Sequence, residues 1–142
     1  MKIFREILRI IKQLILLPKS IINFLFGNFY NDIFLSRYKT VHYGLLNLKQ
    51  KVLIFLIFPE SGLSKSHLRT LKYFIKKNYS PLVVSNKPLS KEDRENILKN
   101  CWTLIERKNF GYDGGGHREA ILLLSKRIST LKNLFLLNDS VW

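Results

Sequence analysis

One cysteine, Cys101, in a chain of 142 residues leaves no partner for an intramolecular disulfide. A disulfide-stapled scaffold is therefore excluded, and a reducing, cytoplasmic compartment fits. The thiol stands in an apolar stretch, Cys101-Trp-Thr-Leu-Ile105, so a buried, inert cysteine is expected. With that residue and only His42, His67 and His117, a zinc site of the finger or ribbon type lacks ligands at workable spacing. Acidic residues are scarce as well, 10 Asp and Glu against 24 Lys and Arg, for a formal charge of +14. Such an excess attracts polyanions, whether nucleic acid, anionic lipid or nucleotide phosphate. Lysines spread over solvated helix faces would give the same sum. No nucleic-acid-binding motif accompanies the charge, and no specific nucleic-acid partner is expected. An apolar run of about 18 uncharged residues is also missing, because Lys19 and Ser20 interrupt the hydrophobic start, so a spanning helix is disfavoured. Charges recurring through Lys12 argue equally against a signal peptide. Neither an internal repeat nor a low-complexity linker is present, and the length suits one core.

What is present divides near residue 50. From Met1 to about Leu17, Ile3, Phe4, Ile7, Leu8, Ile11, Leu14 and Ile15 recur at helical spacing, with Lys2, Arg5, Arg9 and Lys12 between them. That pattern predicts a basic amphipathic helix, which Pro18 should end or kink. Such a helix lies on an anionic membrane surface or packs against the rest of the protein or a partner. Residues 1–50 are thus expected to form a basic amphipathic region and a connector, with one strand or helix of undecided type around Val41 to Leu48. From Lys51 onward, apolar runs of strand length alternate with segments of helical period, which predicts βαβ units on a mostly parallel sheet, an α/β fold. The expected strands are Val52–Phe58, Leu82–Ser85, Trp102–Ile105 and Leu134–Leu137. Ser64 is a helix N-cap candidate, and Ser90-Lys-Glu-Asp93 a capping-box variant opening a short helix through Leu98.

Two polar segments stand out, Arg107-Lys-Asn-Phe-Gly-Tyr-Asp-Gly-Gly-Gly-His-Arg118 and Asn138-Asp-Ser140. The first has small residues that let backbone approach a ligand, and it leads into a helix whose N-terminal N–H groups attract phosphate. It is neither a dinucleotide fingerprint nor a P-loop, since the required glycine order and the Gly-Lys-Ser/Thr run are absent. A flexible surface loop with Asp113 as a helix cap explains it equally well. The second follows an apolar strand, and it reads either as a polar turn or as a source of oxygen ligands.

These segments, with Val52-Leu-Ile-Phe-Leu-Ile-Phe58, Ser66-His-Leu-Arg-Thr-Leu71 and Pro81-Leu-Val-Val-Ser-Asn86, resemble the rhamnan synthesis protein F family of bacterial polysaccharide glycosyltransferases. The resemblance runs from about Lys51 to Trp142. It implies a GT-A-like half-domain that binds a nucleotide-sugar donor, in the synthesis of cell-surface polysaccharide or lipopolysaccharide. Asn138-Asp-Ser140 would correspond to the Asp-x-Asp metal motif, with a single carboxylate, Asp139, remaining to hold Mg²⁺ or Mn²⁺ rather than to stabilise a turn. Donor contacts would come from Asn86, Arg107, Asn109, Gly111, Asp113, Gly115, Arg118 and Asn138, with Lys108 nearby. Ser64 and His67 are weaker candidates, Ser64 chiefly as a cap, and His117 reads as a loop or cap residue. A polysaccharide or lipid-linked acceptor is implied, and the half-domain is cut short after the metal motif. The chain alone is therefore expected to bind a nucleotide sugar weakly, if at all, and to transfer none, unless a separate C-terminal partner completes it. The alternatives are an inactive membrane-surface accessory protein and a basic nucleic-acid-binding module.

Overall fold

The computed structural model describes residues 2–30, 38–109 and 112–139. Gly111, Ser140, Val141 and Trp142, and the 31–37 part of the connector, lie outside the described residues. The chain divides into two compact units, Met1–Tyr38 and Lys39–Trp142.

The first unit is built on α1 (Lys2–Tyr30), 29 residues long with Pro18 inside it. Of the two outcomes expected at Pro18, an ended or a kinked helix, the first does not occur. The proline ring holds φ near the helical value, so the chain on either side continues the helix at the loss of one backbone hydrogen bond. Among the described residues, no helix is long and apolar enough to cross a membrane.

The second unit runs β1 (Lys39–Tyr43), β2 (Lys51–Ile57), α2 (Lys65–Lys76), β3 (Ser80–Ser85), α3 (Lys91–Leu98), β4 (Thr103–Arg107), α4 (Tyr112–Leu124), a 3₁₀ turn (Ser125–Thr130) and β5 (Asn133–Asn138). The fold is α/β, with one five-stranded sheet in the order β1-β4-β3-β2-β5. The β4–β3, β3–β2 and β2–β5 pairs are parallel, and β1 alone runs antiparallel, Val41 opposite Ile105. The undecided element before Lys51 is thus a short edge strand, and the sheet begins at Lys39. Gly44 permits this, because a Cβ there would lie 2.1 Å from the Cys101 carbonyl oxygen. Its N–H instead donates to the Trp102 carbonyl at 2.8 Å.

Strand alternation sorts the core into two layers. Leu53, Phe55 and Ile57 of β2 pack with Leu71 of α2 and Ile97 of α3 on one face. Val52, Ile54 and Leu56 pack with Ala120 and Leu124 of α4 on the other. Cys101 is buried, and the loss of water pushes its thiol pKa up to about 12, so it is inert as expected. The helix starts follow local chemistry. Ser64 caps α2 through a reciprocal box with His67, and Ser90 Oγ accepts from Asp93 N–H at 3.1 Å to cap α3. At the far end of α2, Asn78 takes a left-handed φ of 66°, a conformation asparagine tolerates at helix exits.

Chain order places β3 and β4 on one side of β2 and β5 on the other. Connections therefore diverge between β2 and β5, and in an open α/β sheet ligands bind in the crevice beyond the carboxyl ends of the strands at such a switch point.

Candidate functional site

Four parallel strands deliver their carboxyl ends to this edge: Ile57 and Phe58, Ser85 and Asn86, Glu106 and Arg107, Asn138 and Asp139. Their side chains meet in a few defined groups.

At the switch point, Asp139 N–H donates to the Leu56 carbonyl at 3.0 Å, extending the β2–β5 ladder by one residue. Asp139 Oδ2 accepts from Phe58 N–H at 2.6 Å and lies 3.2 Å from His67 Nε2. The capping box fixes the imidazole: His67 Nδ1 accepts from Ser64 N–H at 3.2 Å, so its proton resides on Nε2 and is donated to Asp139. His67 is buried, and its ring meets Phe55 edge to face at 5.9 Å. Asp139 therefore ties β5 to β2 and to the start of α2, a stabilising role that the expectation of a purely ligand-directed carboxylate left out. The donors that give it this role lie far away in sequence.

The next group joins β3 to β4. Arg107 Nη1 donates to Asn86 Oδ1 at 2.8 Å, and Asn86 N–H in turn donates to the Ile57 carbonyl at 3.1 Å. Burial lowers the Arg107 pKa and Glu119 offsets part of that, yet a guanidinium keeps its charge at any working pH. A half-buried cation stripped of some of its water gains most from an arriving anion. Lys87 stands beside this pair, its ammonium 4.6 Å from the centre of the Phe58 ring.

A third group joins the start of α4 to the end of β5. The expected polar loop is instead the first turn of the helix, with Gly114, Gly115 and Gly116 inside it. Gly116 has a packing role, since a Cβ there would lie 2.4 Å from Leu56 Cδ1, whereas one on Gly114 would meet nothing within 4 Å. Gly116 thus lets α4 come down onto β2, and the first turn of the helix reaches the sheet's carboxyl edge through Asp113 and Asn138. Asp113, in that first turn, accepts from Asn138 Nδ2 at 2.9 Å. Arg118 is half-buried, with Nη1 3.7 Å from Glu119. Asn109 and Lys108 are exposed, and Gly115 is half-buried. His117 Nδ1 is buried without a hydrogen-bond partner among the described residues, and burial lowers the pKa of its ring, leaving it neutral.

A fourth group escaped sequence reasoning. Glu106, buried near the end of β4, accepts from Arg94 Nε at 2.6 Å and from Leu89 N–H at 2.9 Å, and His42 Nε2 lies 3.0 Å away. Burial alone would raise its pKa, but Arg94, the Leu89 amide and His42 together hold it below the ordinary glutamate range. This cluster fastens α3 and β1 to the sheet. An acidic residue closing an otherwise apolar strand, Thr103-Leu-Ile-Glu106, was the available signal.

Of the residues expected at the site, Asn86, Arg107, Asp113, Asn138 and Asp139 occupy one edge and pair as described, with His67 joining them. Among the described residues, no group of three or more His, Cys, Asp or Glu side chains could hold a metal ion. Two of the contacts at this edge fall on Asp139 Oδ2, from Phe58 N–H and from His67 Nε2.

An uncharacterized protein, y4gN, of Sinorhizobium fredii (strain NBRC 101917 / NGR234) is 37% identical to this chain over 141 residues. The match takes in 99% of the chain and 37% of that protein, so the chain spans well under half the length of this curated relative. No family model matches the chain. No solved structure matches it.

Proposed function

We propose that this chain is the nucleotide-sugar-binding half of a glycosyltransferase of cell-surface polysaccharide synthesis, of the rhamnan synthesis protein F type. The observation that carries the reading is the half-buried Arg107, held by Asn86 at the same carboxyl edge of the sheet to which the Asp113–Asn138 hydrogen bond brings the first turn of α4. Sugar transfer from such a donor requires stabilising a diphosphate whose negative charge grows as the glycosidic bond to it breaks. The first N–H groups of α4 and the Arg107 guanidinium supply that stabilisation, with Lys108 and Arg118 adding positive charge. Asp113, held by Asn138, accepts hydrogen bonds from the ribose. Asp139 would hold a Mg²⁺ or Mn²⁺ that accompanies the diphosphate, and the ion would supply charge neutralisation of the leaving group. The acceptor, a lipid-linked or growing polysaccharide, is bound together with a separate C-terminal partner. The working compartment is the cytoplasm.

Calorimetric titration tests the reading. The chain should bind nucleoside diphosphate sugars and nucleoside diphosphates, and neither free sugars nor nucleosides. Arg107→Ala should weaken that binding roughly tenfold to a hundredfold, the range for a hydrogen bond to a charged group. Absence of nucleoside diphosphate binding by a chain with intact far-ultraviolet dichroism would sink the proposal, as would binding that Arg107→Ala leaves unchanged.

A further inference from the structure

Between residues 7 and 22, helix α1 exposes a series of apolar side chains. Ile7 is 49% exposed, Leu14 62%, Ile15 72% and Ile22 57%. At 3.6 residues per turn the apolar arc runs from Leu17 round to Leu8, about 180° of the circumference. Arg5, Arg9 and Lys12 lie outside that arc, all three exposed, within a stripe of about 60°. Glu6 is the one acidic residue in the helix sequence.

Breadth and charge together select the occupant. A single helix–helix seam buries a narrow stripe at two positions of every seven, too narrow to cover an arc of about 180°. A bilayer interface instead covers a half-cylinder, while flanking lysine and arginine stems extend along the apolar surface and set their charges at the headgroups. Among the described residues, no helix is long and apolar enough to cross a membrane. We propose that α1 lies in the plane of an anionic bilayer surface, its apolar arc below the headgroups and Arg5, Arg9 and Lys12 against lipid phosphates. The proposal does not rest on the reading of the carboxyl-edge site.

Vesicle flotation of the full chain tests the proposal, using phosphatidylcholine alone and phosphatidylcholine with about a third phosphatidylglycerol. The chain should float with the mixed vesicles and only weakly with the neutral ones. Combined Arg5→Gln, Arg9→Gln and Lys12→Gln should weaken partition into the mixed vesicles by roughly a hundredfold, from about a factor of five for each cation near the surface. Combined Leu14→Asp and Ile15→Asp should abolish it in both. Arg107→Ala is the control: it should leave flotation intact even where donor binding is lost, so the two proposals fail separately. Equal partition into neutral and anionic vesicles would overturn the inference. So would an unchanged triple variant. An oligomer by light scattering that the Leu14→Asp, Ile15→Asp pair dissociates, in a chain that binds no vesicle, would assign the face to a second copy instead.

Discussion

Strands β2 and β5 are neighbours of similar composition, Val52-Leu-Ile-Phe-Leu-Ile57 beside Leu134-Phe-Leu-Leu137, and their surroundings are opposite. Every residue from Val52 to Ile57 is at most 2% exposed, whereas Leu134, Phe135 and Leu136 are 39%, 44% and 47% exposed. β2 has a strand on either side and helices over both faces, α2 and α3 on one and α4 on the other. β5 is paired along one side only, with Phe135 resting on Phe74 at 5.1 Å between ring centres. A run of leucine and phenylalanine thus specifies a strand without specifying a place in the sheet, and the covering elements decide what each residue contributes.

Truncation should expose the contrast most. Leu53→Ala removes a fully buried side chain and should cost about 3 to 4 kcal/mol, while Leu136→Ala should cost about 1, measured as shifts in denaturant midpoint. Equal losses would mean that something covers β5 in solution. Next in size is the outer β1–β4 part of the sheet, where Glu106→Gln weakens a cluster centred on a buried carboxylate and should cost about 2 kcal/mol, reduced because Arg94 is a third exposed. Its pH dependence has a definite sign. The folded-state pKa of Glu106 is lowered, so its stabilisation is full above the ordinary glutamate value and disappears as pH falls through the folded value. Chemical denaturation between about pH 5 and pH 3 should therefore show a steeper decline for the native chain than for Glu106→Gln.

Smaller effects probe the junction of the two strands. Asp139→Asn keeps an oxygen for Phe58 N–H and loses the charge facing His67, so about 1 kcal/mol of stability should go, together with any contact to a donor-bound cation. A variant with unchanged melting temperature would show that the β5 end is held elsewhere. Smallest are two substitutions with opposite signs. Gly116→Ala presses on Leu56 and should lose about 1 kcal/mol, while Gly114→Ala, with open space around it, should gain about 0.5 to 1 from lower chain entropy in the unfolded state. Thermal melts of the pair would show whether α4 is seated on β2 as tightly as the geometry indicates.

Much of this architecture is legible in the sequence because it is written locally. The apolar runs give β2 to β5 to within a residue or two at most ends, and Ser64 and Ser90 mark their helices. β1 is not legible, since Lys39-Thr-Val-His-Tyr43 is short and half polar and becomes a strand only by pairing with Thr103–Arg107. At Pro18 the sequence leaves an ended or a kinked helix open, and the helix runs on past it, because one lost hydrogen bond does not outweigh a long helix. At the site, residue types are readable and partners are not. Asn86 with Arg107, Asp113 with Asn138 and His67 with Asp139 are all joined across the fold, and Glu106 resembles a solvated carboxylate until Arg94 and His42 are brought beside it.

The sheet order also sets a sequence of events during synthesis. Lys51 pairs with Asn133, so β2 leaves the ribosome long before the strand that fills its second side. The β2-α2-β3-α3-β4 segment can assemble meanwhile, because each parallel pair in it is joined by a nearby crossover. Throughout that interval the most apolar strand of the protein presents one whole row of backbone donors and acceptors to the cell. Nascent chains arrested before Asn133 should accordingly recruit holding chaperones or self-associate, and release of β5 should end both.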